Sequence, residues 1–167
     1  TVIYMGNVVG TNCQTGHHVL IREDNTIGDS VSIGSHSVVE HHVTIEDGVR
    51  IHSQAFIPEF SVLKKGCWIG PNVTMRADEG TINMGDFSNI QDNCVIHGRD
   101  VILGRYSHLG HSCTLHGVTL GEHVLVAINA VVLDGVEVGD WCTIAAGAVV
   151  APSAKIPPRK MLMGVPA

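Results

Sequence analysis

Aliphatic side chains recur at every sixth position along most of this chain. Starting at Val9, the series runs through Thr15, Ile21, Ile27, Ile33, Val39, Ile45, Ile51, Ile57, Leu63 and Ile69 to Met75. It resumes after a three-residue insertion at Met84, Ile90 and Ile96, and after a one-residue insertion at Leu103, Leu109 and Leu115. A one-residue deletion then leads to Leu120, Val126, Val132, Val138, Ile144, Val150 and Ile156. A period of six fits neither an amphipathic helix nor an alternating strand, and it marks a structural repeat. Each hexapeptide reads as one short strand and one corner, and three of them make a triangular coil. About 25 repeats predict roughly eight coils of an all-β parallel β-helix, on the order of 38 Å tall at ~4.8 Å per layer.

The other positions of the repeat agree with that reading. Gly often follows the aliphatic residue (Gly28, Gly34, Gly70, Gly104, Gly121, Gly139), as a tight corner would favour. The fourth residue after it is small or β-branched (Val31, Ser37, Ala55, Ser88, Ala130, Ala148), which suits a narrow interior. Cys13, Cys67, Cys94, Cys113 and Cys142 all fall in this small slot. They read as reduced, buried thiols acting as small hydrophobes, and their odd number and lack of CxxC spacing agree. A reducing, cytoplasmic setting follows from that usage. The prolines fall at predicted corners or in the tail, and Lys155 to Lys160 reads as the end of the solenoid.

The length of 167 residues suits one domain, residues 1–167, with no interior linker. The net charge of −6 and the lack of a basic stripe argue against nucleic acid as a partner. No stretch is apolar and long enough for a membrane span, and no secretory signal is visible. The first residue is Thr1 rather than Met, as in a trimmed chain.

Eleven histidines are the candidate chemistry. His36, His41, His42, His52, His108 and His123 lie at varied phases of the repeat and read as solvated or corner residues. His97 and His116 differ: each directly follows an aliphatic position, and the two positions are one coil apart. Their imidazoles are expected to stack on adjacent coils, ~5 Å apart at the backbone, where they can share a metal ion. Arg76 occupies the same column one coil earlier. His111 lies two residues after Leu109, on the preceding face, beside a column that holds Gln91. Five extended residues, roughly 16 Å less the corner, separate it from His116, so one chain does not bring it to the pair. A neighbouring copy can, and three-fold symmetry would repeat the site at each interface. Three neutral histidines with an open fourth position form a catalytic zinc arrangement. The same spacing is also met by a run of corner histidines on a His-rich chain.

Residues 75–167 resemble the γ-class carbonic anhydrases. The resemblance is carried by Met75-Arg76-Ala77-Asp78-Glu79-Gly80, by Gly85 to Asn93, by Val95-Ile96-His97, and by Gly110-His111-Ser112-Cys113-Thr114-Leu115-His116-Gly117. Val132 to Gly135, Ala146 to Val150 and Gly164-Val165-Pro166 extend it. It implies a left-handed β-helix that trimerises, with zinc, iron or cobalt held by His97 and His116 of one chain and His111 of the next. It implies reversible hydration of CO2 to bicarbonate by hydroxide on that metal, oriented by Gln91, with Glu79 as a proton acceptor. Arg76 and Asp92 resemble an intersubunit salt-bridge pair, with Asp78 nearby. Two departures bear on rate: the segment between His97 and Leu103 is shorter than in many members, and Arg159 stands where a tyrosine is common. Many hexapeptide proteins also end in a helix, which this chain lacks before Ala167.

Residues 1–74 resemble the start of hexapeptide sugar acetyltransferases. Thr15-Gly16-His17-His18-Val19-Leu20-Ile21-Arg22-Glu23 and Ile27-Gly28-Asp29 carry that likeness, which implies His17 or His18 as a general base toward an acyl acceptor. The junction coincides with the first break in the repeat, so the chain reads as a mosaic, natural or engineered, of two β-helices. The alternatives to CO2 hydration are thus an acyl-CoA-dependent acetyltransferase, for which Lys155, Arg159 and Lys160 form the only dense basic group, and a non-catalytic trimeric scaffold that keeps a metal for stability.

Overall fold

The computed structural model describes residues 1–78 and 80–167. Twenty-seven short strands form three parallel sheets of nine strands each, and successive strands pass from one sheet to the next. The architecture is a left-handed parallel β-helix. We call the sheets A, B and C, starting from strands Val2–Ile3, Val8–Val9 and Gln14–Thr15. The solenoid has nine coils rather than the eight expected. The added strands, Val2–Ile3 and Met161–Leu162, extend the six-residue series by one step at each end.

The repeat works as a core code. The series from Ile21 to Val150 points inward and is buried in all three sheets, joined by the small slot at Val31, Ser37, Ala55, Cys67 and their equivalents. Pairing runs aliphatic to aliphatic up each sheet, as at Ile57↔Val39, Leu63↔Ile45 and Ile69↔Ile51. Stacking equals on equals lets each added coil bury the coil beneath it. In the first coil Ile3 and Val9 are exposed. Cys13 is half-buried there, whereas the other four free cysteines are buried. Slot polar groups are satisfied: the Ser37 hydroxyl donates to the His52 carbonyl and that of Ser107 to the Gly121 carbonyl.

The corners differ from expectation in one respect. At most of them the left-handed backbone conformation falls on the third residue after the aliphatic one, often not Gly, as at Ser30, His36 and Asn72. Gly directly after the aliphatic residue answers a different need, the close approach of the next coil. A Cβ on Gly34 would lie 2.4 Å from the backbone nitrogen of Ser53. The Gly thus serves rung spacing rather than turn geometry.

The outward faces of the sheets are unlike. On sheet A the outward residues that directly precede the inward aliphatic positions are Val2, Leu20, Val38, Phe56, Thr74, Val95, Thr114, Val131 and Val149, none of them charged. Three of its strands run one residue further and add Arg76, His97 and His116 outward at the A–B end. Sheet B places Thr26, Thr44, Glu137 and Lys155 outward, and sheet C places Gln14, Ser32, Arg50 and His108 outward. Among the described residues, no helix is long and apolar enough to cross a membrane.

Candidate functional site

All three breaks in the six-residue series fall at one edge of the prism, the vertex where the chain passes from sheet A to sheet B. The intervals Met75 to Met84, Ile96 to Leu103 and Leu115 to Leu120 cross that vertex on three successive coils. There the sheet A strands gain a third residue, giving Thr74–Arg76, Val95–His97 and Thr114–His116. The extra residue stands just beyond the buried aliphatic side chain. The ladder brings Arg76 opposite His97, and His97 opposite His116. The expected column is therefore present. The insertions are taken up in the four-residue strands Thr81–Met84 and Asp100–Leu103, where Ile82 and Val101 add inward side chains.

The two imidazoles meet edge to face, their centroids 4.6 Å apart. His97 Nδ1 faces His116 Nε2 at 2.8 Å. The outer nitrogens meet carboxylates: His97 Nε2 lies 3.2 Å from Asp78 Oδ2, and His116 Nδ1 contacts Asp134 Oδ1. Arg76 pairs with Asp78 through both its Nε and a terminal nitrogen. The guanidinium holds the Asp78 carboxyl below the usual carboxylate range, and the neighbouring His97 adds to the effect. Asp78, His97, Gly98, Arg99 and His116 line an open pocket of about 230 Å³.

Counting protons tests whether this arrangement suits a cation. Three contacts each ask for an N–H, but two neutral imidazoles carry only two. With both protons directed to Asp78 and Asp134, the facing nitrogens present two lone pairs to each other at 2.8 Å. A cation between them, either a third proton or a metal ion, resolves the conflict. Carboxylates on the outer nitrogens are the usual support for metal-ligating histidines. A metal with nitrogens at ~2.0–2.1 Å needs the pair to open by roughly half an ångström. The pair therefore fits two-thirds of a three-histidine set.

The other expected residues lie elsewhere. His111, Asp92 and Gln91 sit at the vertex between sheets C and A, across the width of sheet A from His97 and His116. His111 Nδ1 lies 3.5 Å from Asp92 Oδ2, and Gln91 donates to Asn89 Oδ1 at 3.2 Å. Within one chain Arg76 thus pairs with Asp78 and not with Asp92, because the two vertices are separated by a strand. Among the described residues of one chain, no group of three His, Cys, Asp or Glu side chains is arranged to hold a metal. Glu79 lies outside the described residues. Asp134 was missed by the sequence reading. The signal for it was its position on the A–B vertex one coil above His116, on the same edge as the irregular corners.

Comparison with known proteins places this fold in context. The bacterial transferase hexapeptide pattern (six repeats) matches residues 26–59 and 117–152. The carnitine operon protein CaiE of Escherichia coli K12 is 37% identical over 109 residues, 64% of this chain and 56% of that protein. The matched segment thus spans little more than half the length of that relative. A UDP-N-acetylglucosamine acyltransferase of Francisella novicida superposes with a TM-score of 0.83 at 25% identity, over 93% of this chain and 62% of its own. A hexapeptide transferase family protein of Anaplasma phagocytophilum, at 22% identity, TM-score 0.56 and coverage of 95% and 80%, shares the fold.

Proposed function

We propose that this chain is a hexapeptide-repeat enzyme whose working site is the His97–His116 pair, completed by His111 of a neighbouring copy around one metal ion in a homotrimer. The reading carried forward is hydration of CO2 to bicarbonate. The observation that supports it most is the pair of ring nitrogens that face each other at 2.8 Å while the outer nitrogens of both rings meet carboxylates. The row of Val, Leu, Phe and Thr along the outer face of sheet A supports the assembly, because it lies between the A–B and C–A vertices that must meet across an interface. Zinc, iron or cobalt so held supplies Lewis acidity and, from water, a nucleophile at neutral pH.

The protein's own groups have separate tasks. Asp134 and Asp78 fix the outward protons of His116 and His97 and so aim their lone pairs inward. Arg76 keeps Asp78 ionised and in place. Gln91, on the same vertex as His111, orients the substrate oxygen by its amide. Glu79, adjacent to Asp78 in sequence, is assigned the proton exit. Asp92 holds His111.

A second reading, acyl transfer, is favoured by the relatives: the repeat pattern is that of bacterial transferases, and an acyltransferase superposes over most of the chain. The comparisons weigh toward this reading, and the side-chain geometry weighs toward the metal. For acyl transfer the base is His17 or His18, at the C–A vertex of the N-terminal coils. The basic group is thinner than its sequence suggests, because Lys155 is paired with Glu137.

Metal analysis of anaerobically purified protein, with stopped-flow CO2 hydration, decides between them. The metal reading expects close to one equivalent at this site, lost in His97→Ala and in His111→Ala, and regained in part when the two variants are mixed. Hydration unchanged by either substitution removes it. Protection of the fold by acetyl-CoA, with acyl transfer lost in His17→Ala or His18→Ala, establishes the second reading instead.

A further inference from the structure

The histidines are not scattered over the surface. His41, His42, His97 and His116 stand at the A–B vertex, and His17, His18, His36, His52 and His111 at the C–A vertex. Only His108 and His123 of the eleven lie elsewhere. The two vertices that border sheet A thus hold nearly all of them, in the N-terminal coils as well as the C-terminal ones.

The N-terminal group repeats the plan of the lower-numbered side of the His97 site. Arg22 occupies the sheet A column position of Arg76, directly after a buried aliphatic residue. It pairs with Glu23 at 3.0 Å and lies 3.5 Å from Glu40, as Arg76 pairs with Asp78. One coil above, His41 Nδ1 faces His42 Nδ1 at 2.9 Å. Phe60 closes the far side, its ring 5.7 Å from that of His41 and 5.5 Å from that of His42. His42 holds the left-handed corner conformation, which turns its ring back onto its neighbour. As at His97 and His116, two imidazoles converge at a corner, and among the described residues of one chain no third ligand joins them.

The third ligand follows from the same geometry. His111 sits at the C–A corner that leads into the strand ending in His116. The corner that leads into Val38–Val39, the strand preceding His41, carries His36. An operator that brings His111 of one copy to His116 of the next brings the corner of His36 to the corner of His41 and His42 at the matching height, with His36 and His41 each one residue, and His42 two residues, further along its corner than His111 and His116. His36 is exposed and stacks on His18 at 5.0 Å, which holds its ring at the vertex.

We infer that each interface carries a second metal site, formed by His41 and His42 of one copy and His36 of its neighbour, three coils below His97 and four below His116. At ~4.8 Å per coil the two sites stand roughly 14–19 Å apart, too far to share a ligand. The inference rests on the interface proposed above. The ligand is a divalent transition ion of the kind that imidazole prefers, zinc or cobalt.

Cobalt(II) titration of the full chain tests it, reading metal per chain by mass spectrometry and visible absorption for four-coordinate cobalt. His42→Asn and His36→Asn keep a residue that tolerates the left-handed corner, so neither disturbs the turn. Wild type is expected to take two equivalents per chain. His41→Gln/His42→Asn and His36→Asn should each take one, and a mixture of the two variants should recover part of the second. One equivalent in wild type, unchanged in His41→Gln/His42→Asn and lost in His97→Ala, overturns the second site and leaves the first standing. Cobalt lost in His41→Gln/His42→Asn but kept in His36→Asn overturns the sharing between copies. Two equivalents that survive His97→Ala and His111→Ala overturn the interface reading itself.

Discussion

Seen from inside, the three sheets of this solenoid are interchangeable; seen from outside, they are not. Each contributes a column of buried Ile, Leu and Val to the core, with one Met each in sheets A and B. Outward, sheets B and C carry charged and amide side chains along their strands, while sheet A carries Val, Leu, Phe and Thr, with Arg76, His97 and His116 confined to its A–B end. The backbone is the same in all three, so the difference is not needed for the fold. It concerns what sheet A meets. The irregular corners and nearly all of the histidines border that same sheet, which ties the proposed assembly surface to the candidate chemistry.

The largest effect is expected where a charge enters the sheet A face. Val38→Glu with Phe56→Glu should dissociate the assembly, because an uncompensated charge at a closed interface costs about 3–5 kcal/mol. Light scattering behind a sizing column should show monomer, and the shared metal should be lost with it. Thr26→Glu with Thr44→Glu makes the same change on sheet B and should leave both untouched. Equal behaviour of the two pairs would show that sheet A is not the contact face.

Large-to-small changes inside should show no such contrast. Ile57→Ala, Leu63→Ala and Ile69→Ala empty neighbouring positions of sheets A, B and C, all fully buried. Each should cost about 2–5 kcal/mol in urea denaturation. A clearly larger cost on sheet A, at protein concentrations that keep the assembly intact, would mean that the interface and the core are coupled.

The sealed interior also makes an accessibility prediction. Burial pushes the Cys67 thiol above its usual range. An uncharged thiol reagent should label Cys13, in the open first coil, in the native protein. Cys67, Cys94, Cys113 and Cys142 should react only on unfolding, as mass spectrometry of the labelled peptides can follow.

The inside of the molecule was legible in the sequence, and the outside only partly. The period of six identified strands, corners, core and the cysteine slot, because burial fixes residue type at each inward position. It undercounted by one step at each end, where Ile3 and Leu162 lie beyond the counted series. The column Arg76, His97, His116 was readable because position after an aliphatic residue is a coordinate on the solenoid. Asp134 was not, since nothing in the period tells which corner side chain turns toward a histidine. His36, His41, His42 and His52 were set aside one by one as corner residues. Their meaning appears only when positions are sorted by vertex, which needs the count of three faces per coil followed through every insertion.

The smallest effect concerns the remaining vertex, between sheets B and C. There Phe87, Tyr106, His123 and Trp141 stack in one column, with successive centroids 5.5, 4.9 and 3.9 Å apart and ring planes within 13° of parallel. These rings occupy each other's faces, so the column is a ladder that ties coils together at an exposed corner. Tyr106 holds the left-handed conformation, so Tyr106→Asn keeps the turn while removing the ring. Two stacked pairs are lost, each worth about 0.5–1.5 kcal/mol beyond the area they bury. The unfolding midpoint should fall by that modest amount, while oligomeric state and metal content stay as in wild type. A change in assembly from this substitution would place the B–C vertex at an interface and undo the distinction between the faces.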